Sequence, residues 1–238
     1  TMTMILSKPT LLLIGLVATL AGLLGAAADV YSIWTGKHTM DSAFAAGLDH
    51  VMLIMLDKPI EEMVIGNYLG QFFIPIHAAL GAVLCYCLFS PFDRKLSIAL
   101  AAAFIYGGAI GAGFHSTILP YGALVNTGDE ALITATKGYW NFVAYSMIAG
   151  VMCMTTLITA LIVRNRAIVP LSLLLLSPLG IMSAFAALNY ILPDGGLFRD
   201  LKEFMNIAGF NFPLAIFYLT VTIFTFKNYD HLKTLAAK

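Results

Sequence analysis

The chain has 238 residues, 60% of them hydrophobic and 11% charged, with a mean hydropathy of +0.87. A soluble domain carries about 25% charged residues, so the composition excludes a water-soluble globule, and a disordered chain needs the opposite balance. Lys plus Arg and Asp plus Glu each total 13, which leaves no basic signature for a nucleic-acid partner.

An apolar helix needs about 20 residues to cross the hydrocarbon core of a bilayer. Six runs meet that length, at residues 10–34, 63–89, 96–121, 133–163, 168–192 and 204–226. The expected fold is all-α: a polytopic transmembrane helix bundle of six spans, forming a single integral membrane domain over residues 1–238. In the first run, Lys8, the stretch from Leu11 and Ala26-Ala27-Ala28 resemble a signal peptide. The apolar character continues to Trp34, so a retained helix is expected. Between spans one and two, Phe44, Leu48, Val51, Met52 and Met55 recur at helical spacing after Asp41-Ser42. That spacing predicts a short interfacial helix within 35–59, placed as a surface loop or as a lid. Pro75, Pro178 and Pro213 fall inside spans two, five and six, where each removes a backbone donor and predicts a kink. The three cysteines, Cys85, Cys87 and Cys153, sit in apolar runs and read as buried small hydrophobes.

With six spans, both termini and the loops at 91–95 and 164–167 share one side. That side holds eight basic residues: Lys8, Arg94, Lys95, Arg164, Arg166, Lys227, Lys233 and Lys238. The other holds five: Lys37, Lys58, Lys137, Arg199 and Lys202. The bias places both termini in the cytoplasm of a plasma (inner) membrane. Trp34, Trp140, Tyr31, Tyr121, Tyr139 and Tyr190 then fall at the outer boundary, the position of an aromatic belt.

Polar side chains inside a span are costly, so their placement is the main functional signal. They gather at the outer ends: Asp29 in span one, Asn67 and Gln71 with His77 deeper in span two, His115 and Ser116 in span three, Asn141 and Tyr145 in span four, Asn189 in span five, Asn206 and Asn211 in span six. The inner halves are almost wholly apolar. Any one Asn, Gln or His would serve as a hydrogen bond between helices. The one-sided set predicts an outward-facing polar pocket built from all six helices, with Asp29 and His115 handling a proton or pairing with a ligand and Asn67, Gln71 and Asn141 orienting it. Gly66-x-x-x-Gly70, and Gly107, Gly111 and His115 at intervals of four, mark faces for close helix approach within the bundle or between subunits of a homo-oligomer.

Residues 22–29 with the closing Asp29, the stretch Gly66-Asn67-Tyr68-Leu69-Gly70-Gln71-Phe72-Phe73-Ile74-Pro75, and Gly111-Ala112-Gly113-Phe114-His115-Ser116 together resemble a family of bacterial multi-pass membrane proteins of unknown function. The resemblance implies a bundle of six to seven helices with polar positions at Asp29, Asn67 and His115. It implies no reaction and no cofactor.

The function expected from these residues is binding of a small or amphipathic ligand, such as a lipid, in the outward pocket. A membrane-embedded enzyme on a lipid-like substrate is one alternative, including a metal-dependent hydrolase similar to the membrane ceramidases, whose histidine pair is not seen here. Candidate ligands for a metal are His77, His115, Asp29 and Glu62, which show no recognised spacing. A small-molecule transporter is the second alternative, weakened by the apolar inner half.

Overall fold

The computed structural model describes residues 6–34 and 58–236. Regular structure among them is helical throughout. Helices α1 (Lys8–Ile33), α2 (Ile60–Phe89), α3 (Arg94–Thr127) and α4 (Glu130–Arg164) are each long and apolar enough to cross a membrane. A 3-10 turn (Leu171–Leu174), α5 (Pro178–Ile191), α6 (Gly196–Ile207), α7 (Asn211–Lys227) and α8 (Tyr229–Ala236) follow. Helices α6 and α7 together satisfy the same length and composition, bent by 77° at their junction. The interfacial helix expected within 35–59 falls almost wholly outside the described residues.

The helix starts are capped by short polar side chains, which satisfy backbone donors left over in the first turn. Asp93 accepts from the Leu96 amide at 3.2 Å ahead of α3, and Asp129 from the Leu132 amide at 3.0 Å ahead of α4. Gly128, in the left-handed region at φ 70°, ends α3.

The last two apolar runs depart from the continuous spans expected of them. Pro178 does not kink a helix; it begins one, directly after Ser177, whose hydroxyl caps the Gly180 amide at 3.2 Å. Proline fits there because its missing N–H would have no partner in a first turn. Run 168–192 is therefore a 3-10 turn followed by the 14-residue α5. Run 204–226 breaks at Gly209, where a Cβ would lie 2.8 Å from the Met205 carbonyl oxygen. Pro213 likewise sits in the first turn of α7, where it is tolerated.

Neighbours in sequence pack as neighbours in space: α1 on α2, α2 on α3, α3 on α4, with α7 returning against α1. The α4 and α7 backbones do not approach closely; α5 touches both, and their side chains share the larger apolar cluster described below, which makes this the most loosely packed side of the bundle among the described residues. Small residues set the close approaches. Gly22 and Gly25 of α1 receive Ala215 and Asn211 of α7, Gly66 of α2 receives Ser32 of α1, and Gly108 of α3 lies against Ala78 of α2. A Cβ at residue 66 would lie 2.7 Å from the Ser32 nitrogen and 2.8 Å from the Ala28 oxygen. Both are backbone atoms and cannot swing aside. Gly66→Ala is therefore expected to destabilise the α1–α2 pair by about 1–3 kcal/mol, the usual cost of overpacking, read as a lower thermal midpoint in detergent; an unchanged midpoint would contradict this packing.

Two apolar clusters fill the bundle. The larger, with Leu84, Phe89, Leu100, Phe104, Ile158 and Val169, occupies the end where α2 finishes and α3 begins. The smaller, with Phe114, Ile118, Tyr121, Trp140 and Ile207, lies toward the opposite end. Trp140 and Tyr121 are thus core residues, stacked at 5.4 Å between ring centres, and not members of a boundary belt. Tyr31, Tyr139 and Tyr190 do face outward. Cys85 and Cys87 are buried as expected, but Cys153 is exposed on α4. At the end holding the larger cluster, the Tyr229 hydroxyl donates to the Leu6 carbonyl at 3.0 Å, and Arg164 pairs with Asp93 at 3.0 Å.

Candidate functional site

Asp29 lies on the small-residue face of α1, in the series Gly15, Ala18, Gly22, Gly25 and Asp29, all buried. Spacings of three and four keep these residues on one stripe, so the carboxyl is carried inward where α2, α3 and α7 converge. Both of its oxygens are engaged. His115 Nε2 lies 3.0 Å from Oδ1, and Asn211 Nδ2 donates to Oδ2 at 2.9 Å. A carboxylate away from water requires such donors, because burying it without them is very costly.

The hydrogen bonds continue beyond Asn211. Its Oδ1 is 3.1 Å from His77 Nε2, and His77 Nδ1 is 3.2 Å from the Tyr218 hydroxyl. Directions follow from donor and acceptor inventory. Asn211 spends an N–H on Asp29, so its oxygen accepts from His77 Nε2–H. The bare Nδ1 of a neutral His77 then accepts from the Tyr218 O–H. Donors thus point toward Asp29 from both sides: Tyr218 to His77 to Asn211 to Asp29 on one, His115 to Asp29 on the other. The amide interrupts any proton path, since it has no ionisable proton to hand on. Asn211, His77 and Tyr218 therefore hold the carboxylate in position, while His115 is the titratable group in direct contact with it.

Glycine makes room for the His115 imidazole and for the Tyr218 ring. A Cβ at Gly70 would overlap the His115 ring, and a Cβ at Gly81 would lie 2.7 Å from the Tyr218 hydroxyl. His115, His77 and Tyr218 are each almost fully buried.

This cluster forms one end of a cavity of about 120 Å³. Asp29, His77, His115, Asn206 and Asn211 supply its polar lining; Gly107, Met147, Val151, Met154 and Leu214 are among its apolar walls. Gly107 leaves open space where a side chain would stand. Most of the apolar wall comes from α3 and α4, with Leu214 of α7, Ile33 of α1, Ile74 and Ala78 of α2 and Ile207 of α6 completing it, so the cavity reaches the side where the α4 and α7 backbones stand apart. Two wall residues carry buried nitrogens without a partner in the structure, Trp140 Nε1 and His115 Nδ1. Such atoms cost free energy when left unpaired.

Of the residues singled out in the sequence, Asp29, His115, His77 and Asn211 meet here. The other four do not. Gln71 is exposed and donates to Asn67, itself buried, at 3.2 Å, and neither lines the cavity. Asn141 is half-buried off the cavity wall, and Tyr145 is 59% exposed. Glu62 pairs with Lys58 at the start of α2, and Lys58 Nζ also donates to the Trp34 carbonyl at 2.5 Å. The pocket draws on α1, α2, α3, α4, α6 and α7 but not on α5. Among the described residues no three His, Cys, Asp or Glu side chains converge as a metal site would require. Tyr218 was not anticipated; its signal was a spacing of seven from Asn211, two helical turns on the same face. Comparison of the chain with protein-family models, curated proteins and solved structures returns no match.

Proposed function

We propose that this is a multi-pass protein of a bacterial inner membrane that binds a small amphipathic ligand in the cavity between α4 and α7. The ligand's polar end meets Asp29 and its apolar body lies along Gly107, Met147, Val151 and Met154. The observation that carries this is the pairing of a doubly hydrogen-bonded buried carboxylate with an otherwise apolar cavity that reaches the loosely packed side of the bundle. Such a site suits a molecule arriving sideways from the lipid. The bacterial membrane follows from the resemblance of the three first-half stretches.

Six crossings with both termini cytoplasmic accord with this geometry. Val169 and Leu173 pack in the larger cluster, whereas Asn206 lines the cavity with Asp29 and Ile33. Laid end to end, the 3-10 turn and α5 would rise about 29 Å at about 2.0 and 1.5 Å per residue, close to the roughly 30 Å of a hydrocarbon core, which supports a crossing between them. Ligand binding is favoured over hydrolysis by a side-chain nucleophile because, among the described residues, the cavity wall presents no Ser, Thr or Cys beside the Asp29–His115 pair. It is favoured over transport because the larger apolar cluster fills the bundle beyond His77.

The test fills the cavity. Gly107→Leu adds a side chain where nothing stands within 4 Å of a Cβ. Mass spectrometry of small molecules released from purified protein is expected to find a stoichiometric amphiphile in the wild type and at least tenfold less in the folded variant. Equal recovery from both would overturn the proposal.

A further inference from the structure

The charge balance of the same cavity is specific enough to name a ligand class. We infer that the cavity takes a lipophilic cation, an ammonium group on a compact apolar body, with the ammonium at the Asp29 carboxylate. This rests on the ligand-binding reading above and adds the sign of the charge.

Among the described residues Asp29 is the one acidic residue on the wall, and no Lys or Arg accompanies it. Its hydrogen-bond partners are dipoles without countercharge. Asn211 is an amide. Among the described residues His115 meets one acceptor, Asp29, and its Nδ1 lies buried against Gly70, so the arrangement accommodates a single N–H, on Nε2, and a neutral imidazole. His77, fully buried with the neutral Asn211 and Tyr218 as its partners, has no countercharge to support an imidazolium. The net charge of the assembled site is that of one carboxylate. Each carboxylate oxygen keeps a lone pair beyond the bonds already made, so an ammonium N–H can be accepted without displacing His115 or Asn211.

The walls suit the same group. Phe104, Phe114, Trp140 and Phe210 line the cavity, and aromatic faces attract cations most strongly where water is excluded. An anion would meet the Asp29 charge unscreened. A neutral alcohol could bond the carboxylate but would leave its charge uncompensated. For size, a cavity of about 150 Å³ is known to hold benzene; the 120 Å³ here is of the same order, and a ring with a one-carbon headgroup would extend part of its volume toward the loosely packed side beside α4.

The experiment compares three probes with one ring and different heads: benzylammonium, benzyl alcohol and benzoate, titrated by calorimetry into the full chain in detergent. Benzylammonium is expected to bind at least tenfold more tightly than either of the others. Asp29→Asn should reduce it to the level of benzyl alcohol, and Gly107→Leu should abolish binding of all three. Benzyl alcohol or benzoate binding as tightly as benzylammonium would overturn the cation assignment while leaving the ligand cavity standing. Retained benzylammonium preference in folded Asp29→Asn would also overturn it. If none of the three binds the wild type, the cation assignment fails; the released-molecule comparison of wild type and Gly107→Leu then decides separately whether the cavity binds anything. The ranking of probes on the wild type needs no variant to fold.

Discussion

Replacing Asp29 by Asn is expected to leave the bundle folded while forcing one of its two buried histidines to change tautomer. In the wild type both imidazoles carry their proton on Nε2, because both Nε2 atoms face acceptors: Asp29 Oδ1 for His115 and Asn211 Oδ1 for His77. A carboxylate accepts on both sides, but an amide accepts on one side and donates on the other. If the new amide nitrogen faces Asn211, that side chain must turn over, present its own N–H groups to His77 Nε2, and drive the His77 proton to Nδ1. If it faces His115, the His115 proton moves to Nδ1 against Gly70. Histidine-labelled ¹⁵N NMR distinguishes these states directly. Both histidines remaining Nε2–H in the variant would show that the five side chains are not one hydrogen-bonded set. Asp29→Leu, by contrast, leaves the His115 and Asn211 donors facing no acceptor. At about 1–3 kcal/mol for each buried orphan, it should destabilise the protein by about 2–6 kcal/mol.

The second large effect is expected at Gly70. A Cβ there meets Cγ and Nδ1 of the His115 ring and lies 2.7 Å from the His115 Cβ. The last of these is fixed to the α3 backbone, so rotating the imidazole away does not relieve the contact; the two helices must separate or His115 must leave Asp29. Gly70→Ala should therefore cost about 1–3 kcal/mol from overpacking, together with the His115–Asp29 bond. Gly107→Ala makes the matched comparison, since its Cβ meets nothing. There the alanine should be neutral or stabilising by up to about 1 kcal/mol, the difference in helix propensity. Thermal unfolding of the two variants beside the wild type checks the pair. Equal midpoints for both would contradict the close approach of α2 and α3 at His115.

The four long helices were legible because each is a run of apolar residues far longer than a soluble helix needs. What the hydropathy pattern does not carry is where a run breaks. Pro178 and Pro213 were read as interior kinks, yet each stands in a first turn, and the break at Gly209 gave no signal in an apolar window. The site shows a similar division. Depth along a span follows from residue count at about 1.5 Å each, so Asp29, His115 and Asn211 could be placed toward one end of the bundle, with His77 deeper. Rotation about the helix axis is fixed by which face is apolar, and here nearly every face is. Gln71 and Tyr145 share that depth but turn outward, and Trp140, expected at the boundary, turns inward to line the cavity. Tyr218 lay hidden because a tyrosine inside an apolar run reads as core until its partner His77, 141 residues earlier, is placed beside it.

An experimental density map of the full chain in lipid nanodiscs would test most directly that the bundle holds a ligand on its loosely packed side. The expected result is α4 and α7 standing apart, with density not belonging to the chain lying along Gly107, Met147 and Met154 and ending at Asp29. A map in which α4 packs directly on α7, with no void beside Gly107 and His115 turned away from Asp29, would contradict the site and the function built on it.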